Sequence, residues 1–199
     1  MSGSLNVAIN AQFSLGGQAG GVESFTVALV AALGQLDDGP EEYVIIGPQD
    51  GSDWLKPYLA PNQRIVHPPR RPQRNTRLLE PARLLVQRVR SAVSHVSATT
   101  GRWPDIPISD GFYESLGCEV VHFPYQQFVL CALPTVYNPH DLQHVHYPQF
   151  FKPAAIAWRE TIYRAGCHFS QTVVAGSQWV KDDIVEHYGV SPQKVQVIP

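Results

Sequence analysis

Six short apolar runs constrain this 199-residue chain more than any other feature. They are LNVAIN (5–10), YVIIG (43–47), RIVH (64–67), EVVHF (119–123), PTVYN (134–138) and QTVVA (171–175). Each is nearly continuous rather than alternating, as expected of strands buried on both faces. A helical stretch, VESFTVALVAALGQL (22–36), follows the first run, and a shorter helical piece, DWLKPYL, follows the second. Strands alternating with helices build βαβ units. The expected fold is therefore α/β: a doubly wound, mostly parallel, Rossmann-like sheet in a single domain over 1–199.

Two stretches interrupt this rhythm. HPPRRP (67–72) cannot be regular structure, because proline lacks the N–H. Behind it, NTRLLEPARLLVQRVRSAV returns to helical spacing, with Leu78, Leu85, Val89 and Val96 on one face. Arginines surround that stripe, Arg83, Arg88 and Arg90 among them, and nine arginines face one acid, Glu80, between residues 64 and 102. Such a helix either packs on the sheet by its stripe or touches anionic lipid headgroups. ATTGRWPDIPISDGFYESLG (98–117) reads as a surface loop.

The net charge of −2 gives no overall attraction to nucleic acid or membrane. The strands lack the aromatic interleaving of an RNA-binding sheet. Cys118, Cys131 and Cys167 show no CxxC spacing and are expected to be reduced thiols of a cytoplasmic protein. The amino terminus lacks the pattern of a signal peptide, and no run approaches the ~18 apolar residues of a membrane span.

Three segments carry candidate chemistry. GGQAGGVESF (16–25) places four glycines between the first strand and the first helix. In a parallel sheet that is the ligand-binding edge, and a helix N-terminus offers N–H groups to an anion. The spacing matches neither GxGxxG nor a P-loop, and a plain βα turn is the competing reading. YNPHDLQHVHYP (137–148) sets His140, Asp141, His144 and His146 within seven residues. It could hold a metal, poise a histidine for hydrogen-bonding or proton work, or form a proline-bounded loop whose histidines pack. VAGSQWVKDDIVEHYGV (174–190) begins a helix at the N-cap Ser177 and ends it at Gly189. Its acids Asp182, Asp183 and Glu186 are expected on a solvated face.

GGVESF, PTVYNPHDLQHVHYPQFF and VVAGSQWVKDDIVEHYGVSPQKVQVIP, in that order, resemble the amino-terminal half of retaining glycosyltransferases of the GT-B fold, family 4. The resemblance covers roughly 60 residues at three places; the middle, from Pro48 to Gly117, is not matched. It implies two Rossmann-like domains facing across a cleft, the first binding the acceptor and the second the nucleotide-sugar donor. The chain, reaching Val197-Ile198-Pro199, is then expected to be the first half of a longer or split enzyme. Gly20 and Gly21 would lie beside the donor diphosphate, with Gly17 extending the loop. His140 would meet the donor sugar near the reacting carbon, and Asp141 would orient its loop. Ser177 and Lys181 match a Ser-x-x-x-Lys helix start facing the cleft. His144 and His146 would shape the acceptor loop. The family needs no metal or other cofactor; the nucleotide-sugar is a co-substrate. Expected partners are that donor, a glycan or lipid-linked acceptor, the second domain and the inner membrane face. The implied function is transfer of a hexose with retention, in polysaccharide biosynthesis. A non-catalytic acceptor-binding or membrane-docking module, or a nucleotide-sugar epimerase, are the alternatives.

Overall fold

The computed structural model describes residues 4–13, 21–49, 51–69 and 106–199. Seven strands form one parallel sheet: β1 (Leu5–Asn10), β2 (Glu41–Ile46), β3 (Gln63–Val66), β4 (Val120–Phe123), β5 (Thr135–Tyr137), β6 (Thr172–Ala175) and β7 (Val195–Val197). Their order is β3-β2-β1-β4-β5-β6-β7. Helices α1 (Gly21–Leu33), α2 (Gln143–His146), α3 (Pro153–Phe169) and α4 (Gln178–Tyr188) connect them. All six apolar runs are strands, within two residues of the expected bounds.

The continuity of those runs follows from two cores, one on each face. Neighbours such as Ala8 and Ile9, or Val44 and Ile45, point oppositely, so both must be apolar. Ile9, Tyr43 and Ile45 pack with Val30 of α1 and with Leu55. Ala8, Val44, Val121, Phe123, Tyr137 and Val173 pack on the other face, with Ile162 and Tyr163 of α3 and Ile184 of α4. Gly166 lets α3 approach β5: a Cβ there would overlap the fully buried Tyr137 ring.

Local signals set the helix ends. Pro153 occupies the first position of α3, where no N–H is required. The Ser177 hydroxyl accepts the N–H of Val180 at 3.2 Å, and Gly189, at φ 63°, ends α4. The helix expected over 22–36 stops at Leu33, and Gly34 begins the turn toward β2.

One expectation fails in part. Within the supposed surface loop 98–117, Ile106, Ser109 and Tyr113 are buried, Ile108 bridges Leu130 in parallel, and Tyr113–Leu116 form a 3-10 turn. Aromatic anchors outweigh the Gly/Pro/Ser signal: Tyr113 packs against Phe123 at 5.6 Å between ring centroids. The arginine-rich helix, with Arg83, Arg88 and Arg90, lies outside the described residues, as do Gly17 and Gly20. The three cysteines are buried free thiols. Among the described residues no helix is long and apolar enough to cross a membrane.

Candidate active site

After β1 the chain moves outward to β2 and β3; after β4 it moves the opposite way, to β5, β6 and β7. The carboxyl ends of β1 and β4 therefore flank a crevice, the usual ligand position in open α/β sheets. The glycine segment follows β1, Pro124 follows β4, and the His140 turn follows β5. Residues 21–25 of the glycine segment, the His140 turn and the start of α4 after β6 thus reach one sheet edge.

His140 is the most constrained residue there. It is the one non-glycine residue with positive φ, 68°, among those described. That conformation suits few side chains and persists only where surroundings enforce it. The enforcing contacts are local. The N–H of Asn138 donates to the Phe123 carbonyl at 2.9 Å, and the N–H of His140 donates to Asn138 Oδ1 at 2.9 Å. The His140 Nε2–H donates to the Pro124 carbonyl at 2.8 Å. A carbonyl only accepts, so the neutral ring carries its proton on Nε2 and leaves Nδ1 as a lone pair. Burial lowers the His140 pKa; the Pro124 carbonyl and the Asp141 charge oppose that shift. Asp141 Oδ1 accepts the N–H of Gln143 at 3.1 Å, so it caps the turn rather than gripping the ring.

The glycine segment meets the same histidine. The Phe25 ring, one turn into α1, stands edge-on to the His140 ring, 4.9 Å between centroids at 89°. Gly21 opens α1, and a Cβ built there would have nothing within 4 Å among the described residues. Glycine at this point is not imposed by a positive φ, since Gly21 is absent from the positive-φ residues described. The space beside it lies at a helix N-terminus, where N–H groups lack intrahelical partners.

Two buried polar atoms near the crevice lack a hydrogen-bond partner among the described residues: Nδ2 of Asn10, a fully buried residue at the end of β1, and Nε2 of His122 on β4. Burial, then the neighbouring His140, pushes the His122 pKa down to about 4. Neither residue stood out in the sequence. His122 sits inside an apolar run, and Asn10 reads as a strand end.

The remaining histidines separate. His144 is buried and donates from Nε2 to Glu160 Oε1 of α3 at 3.0 Å. Glu160 also accepts from Arg164 at 3.3 Å, and the His144 bond, first among its causes, lowers its pKa. His146 donates from Nε2 to both oxygens of Asp183, at 2.9 and 2.8 Å. The four potential ligands of the 137–148 segment thus turn to four different partners, and among the described residues no three His, Cys, Asp or Glu side chains gather into a metal-binding group.

Asp183 corrects an expectation. Only 8% exposed, it does not belong to a solvated face, whereas Asp182 and Glu186 do. The signal was present: Val180, Asp183, Ile184 and Tyr188 share helical spacing, so Asp183 lies within the apolar stripe of α4. Ser177 serves as the α4 N-cap, and Lys181, half-buried, follows one turn later at the carboxyl edge of β6.

The family model described as Glycosyltransferase Family 4 matches residues 19–199. Solved structures similar to the chain include a glycosyltransferase from Rickettsia africae ESF-5, at 12% identity and TM-score 0.45, covering 98% of this chain and 42% of that one. A UDP-N-acetylglucosamine 2-epimerase from Rickettsia bellii aligns at 10% identity and TM-score 0.47, covering 96% and 44%. A UDP-GlcNAc 2-epimerase from Methanocaldococcus jannaschii aligns at 9% and 0.45, covering 98% and 45%. The chain spans less than half the length of these structures. No curated protein matches.

Proposed function

We propose, for a chain that belongs to Glycosyltransferase Family 4, that it is the acceptor-side, amino-terminal half of a retaining transferase. The whole enzyme moves a hexose from a nucleotide-sugar to a glycan or lipid-linked acceptor, and a second Rossmann-like domain supplies the donor site. The observation that carries this reading is His140, held at φ 68° by Asn138 and Pro124 with its ring against the helix that Gly21 opens.

In this reading the glycine segment and the N-terminus of α1 offer N–H groups to the departing diphosphate, and the space beside Gly21 admits it. A helix N-terminus stabilises an anion by roughly 0.3–1 kcal/mol, or up to ~2 when partly buried. Neutral His140 meets the donor sugar beside the reacting carbon. The bond from that carbon to the diphosphate breaks, the acceptor oxygen bonds on the same face, and the leaving phosphate oxygen takes the acceptor proton. Asp141 and Asn138 keep the His140 turn in register. Ser177 and Lys181, at the edge beyond β6, face the cleft in a looser role.

The test is made on the full-length protein. His140→Ala should lower kcat by about 10²–10³, the effect of one preorganised polar group, with the product anomer matching the donor by NMR. An unchanged kcat removes His140 from the site. Inversion at the anomeric carbon rejects retention. A product that is an epimerised nucleotide-sugar assigns the chain to epimerase chemistry instead. The 199-residue chain alone should not turn over donor, because half the surface that positions the substrates lies elsewhere.

A further inference from the structure

The segment that carries His140 continues, after only Asp141 and Leu142, into α2, a helix of four residues. One turn of helix fixes several residues for very few hydrogen bonds and does not persist alone. Its neighbours must therefore hold it. The two histidines of α2, two positions apart, point about 200° from each other around the axis. His144 is buried and donates from Nε2 to Glu160 Oε1 of α3 at 3.0 Å. His146 donates from Nε2 to both oxygens of Asp183 of α4, at 2.9 and 2.8 Å. Carboxylates from two different helices thus grip the turn on two sides.

Each carboxylate is itself fixed. Glu160 also accepts from Arg164 at 3.3 Å and from the Tyr188 hydroxyl at 3.4 Å. Asp183 is buried beside Ile184, a core residue. Both helices rest on the sheet, α3 through Ile162 and Tyr163, α4 through Ile184 and Tyr188. Apolar contact is non-directional and lets a single turn slide or rotate. A hydrogen bond sets a distance and an angle. Ion pairs at the edge of a core add little net stability, so placement is the better account of these two acids. Two residues separate the His140 contacts with Asn138 and Pro124 from α2, and one of them, Leu142, is fully buried. A displaced α2 would therefore carry the His140 turn with it.

We propose that Asp183 and Glu160 are positioning residues: through His146 and His144 they set α2, and through α2 the place and angle of the His140 ring. The catalytic consequence rests on the role given to His140 above; the clamp itself does not.

The test is NMR of the full-length protein with isotope-labelled histidine rings. The Nε2–H of His140, bonded to the Pro124 carbonyl, gives a signal that His140→Ala removes and so assigns. In Asp183→Ala this proton should exchange with solvent at least about tenfold faster, while the backbone amides of β4 and β5 keep their protection. Asp183→Asn, which retains an acceptor for His146, should restore slow exchange. Glu160→Ala should behave as Asp183→Ala does. An unchanged His140 signal in both alanine variants overturns the proposal. So does faster exchange throughout the sheet, which would assign the two acids to stability alone. In the transfer assay Asp183→Ala should lower kcat about tenfold with KM little changed, and added to His140→Ala it should cost less than about twofold more. Losses that multiply in full would show that Asp183 does not act through His140, and would equally reject the proposal. A His140→Ala enzyme with full kcat rejects the transfer reading instead, and the exchange measurement still decides the clamp.

Discussion

At the scale of single residues, two side chains show how strongly a local pattern can be overridden. Asp183 has the sequence signature of an ordinary helix-surface acid. Its position in the apolar stripe of α4 buries it, and burial of a carboxylate is tolerated only with partners. It has two: His146 with a bidentate contact, and His187 with its Nδ1 at 3.9 Å. Asp183→Ala would leave His146 without its anchor and open a polar void between α2 and α4. It should destabilise the fold by about 1–3 kcal/mol, the cost of stranding a buried polar group. Asp182→Ala and Glu186→Ala, on exposed positions, should stay within about 0.5 kcal/mol. Urea denaturation of the three variants at neutral pH measures the contrast; equal losses would show that the Asp183 contact contributes nothing. His140 is the second case. Its residue type was conspicuous from sequence, flanked by proline and aspartate, but its left-handed backbone was not. That conformation comes from Asn138 together with the carbonyls of Phe123 and Pro124, which lie distant along the chain.

At the scale of elements, strands were far more legible than helices. A strand buried on both faces leaves a run of Val, Ile and Ala that few other structures need, and all six runs were found this way. β7 escaped because it is three residues long and its middle residue, Gln196, is exposed. The helix α3 escaped for a different reason. Its apolar residues are interspersed with Arg159, Glu160, Arg164 and His168, and Gly166 lowers its intrinsic propensity. The same glycine shows what tertiary packing demands of this helix. Replacing it with alanine in isolation favours helix by about 1 kcal/mol. Here the added methyl would drive into Tyr137, which is wholly buried between Phe128 and Tyr163 and cannot swing away. Overpacking of this kind costs about 1–3 kcal/mol, and a clash with a fixed ring belongs at the upper end. Gly166→Ala should therefore lower stability on balance, read as a fall in the urea midpoint. A midpoint that rises would mean that α3 can shift from β5 at little cost.

At the scale of the whole molecule, the titratable groups that the fold shifts define a pH window for stability. Burial lowers the pKa of His122 to about 4, and lowers those of His140 and His168 as well. An unfolded histidine titrates near 6.5, so between that value and about 4 the unfolded chain binds protons that the folded one excludes. Stability is then greatest above pH 6.5 and declines as pH falls. Glu160 adds a loss of the same sign at lower pH, because its pKa is lowered in the fold. At the alkaline end the direction reverses. Burial pushes Cys131 up to about 12 from 9.0, so above pH 9 the unfolded chain releases a proton that the fold retains, and stability again declines. His122 alone should account for about 2–3 kcal/mol of loss between neutral pH and pH 4.5, because each tenfold difference in proton affinity between the folded and unfolded chain is worth ~1.4 kcal/mol. Urea denaturation across this range should show that slope in the wild type and a shallower one in His122→Leu, which has no proton to exclude. A wild-type profile that is flat down to pH 4.5 would mean that water or a partner already reaches Nε2 of His122, and that the interior beside the crevice is not closed to protons.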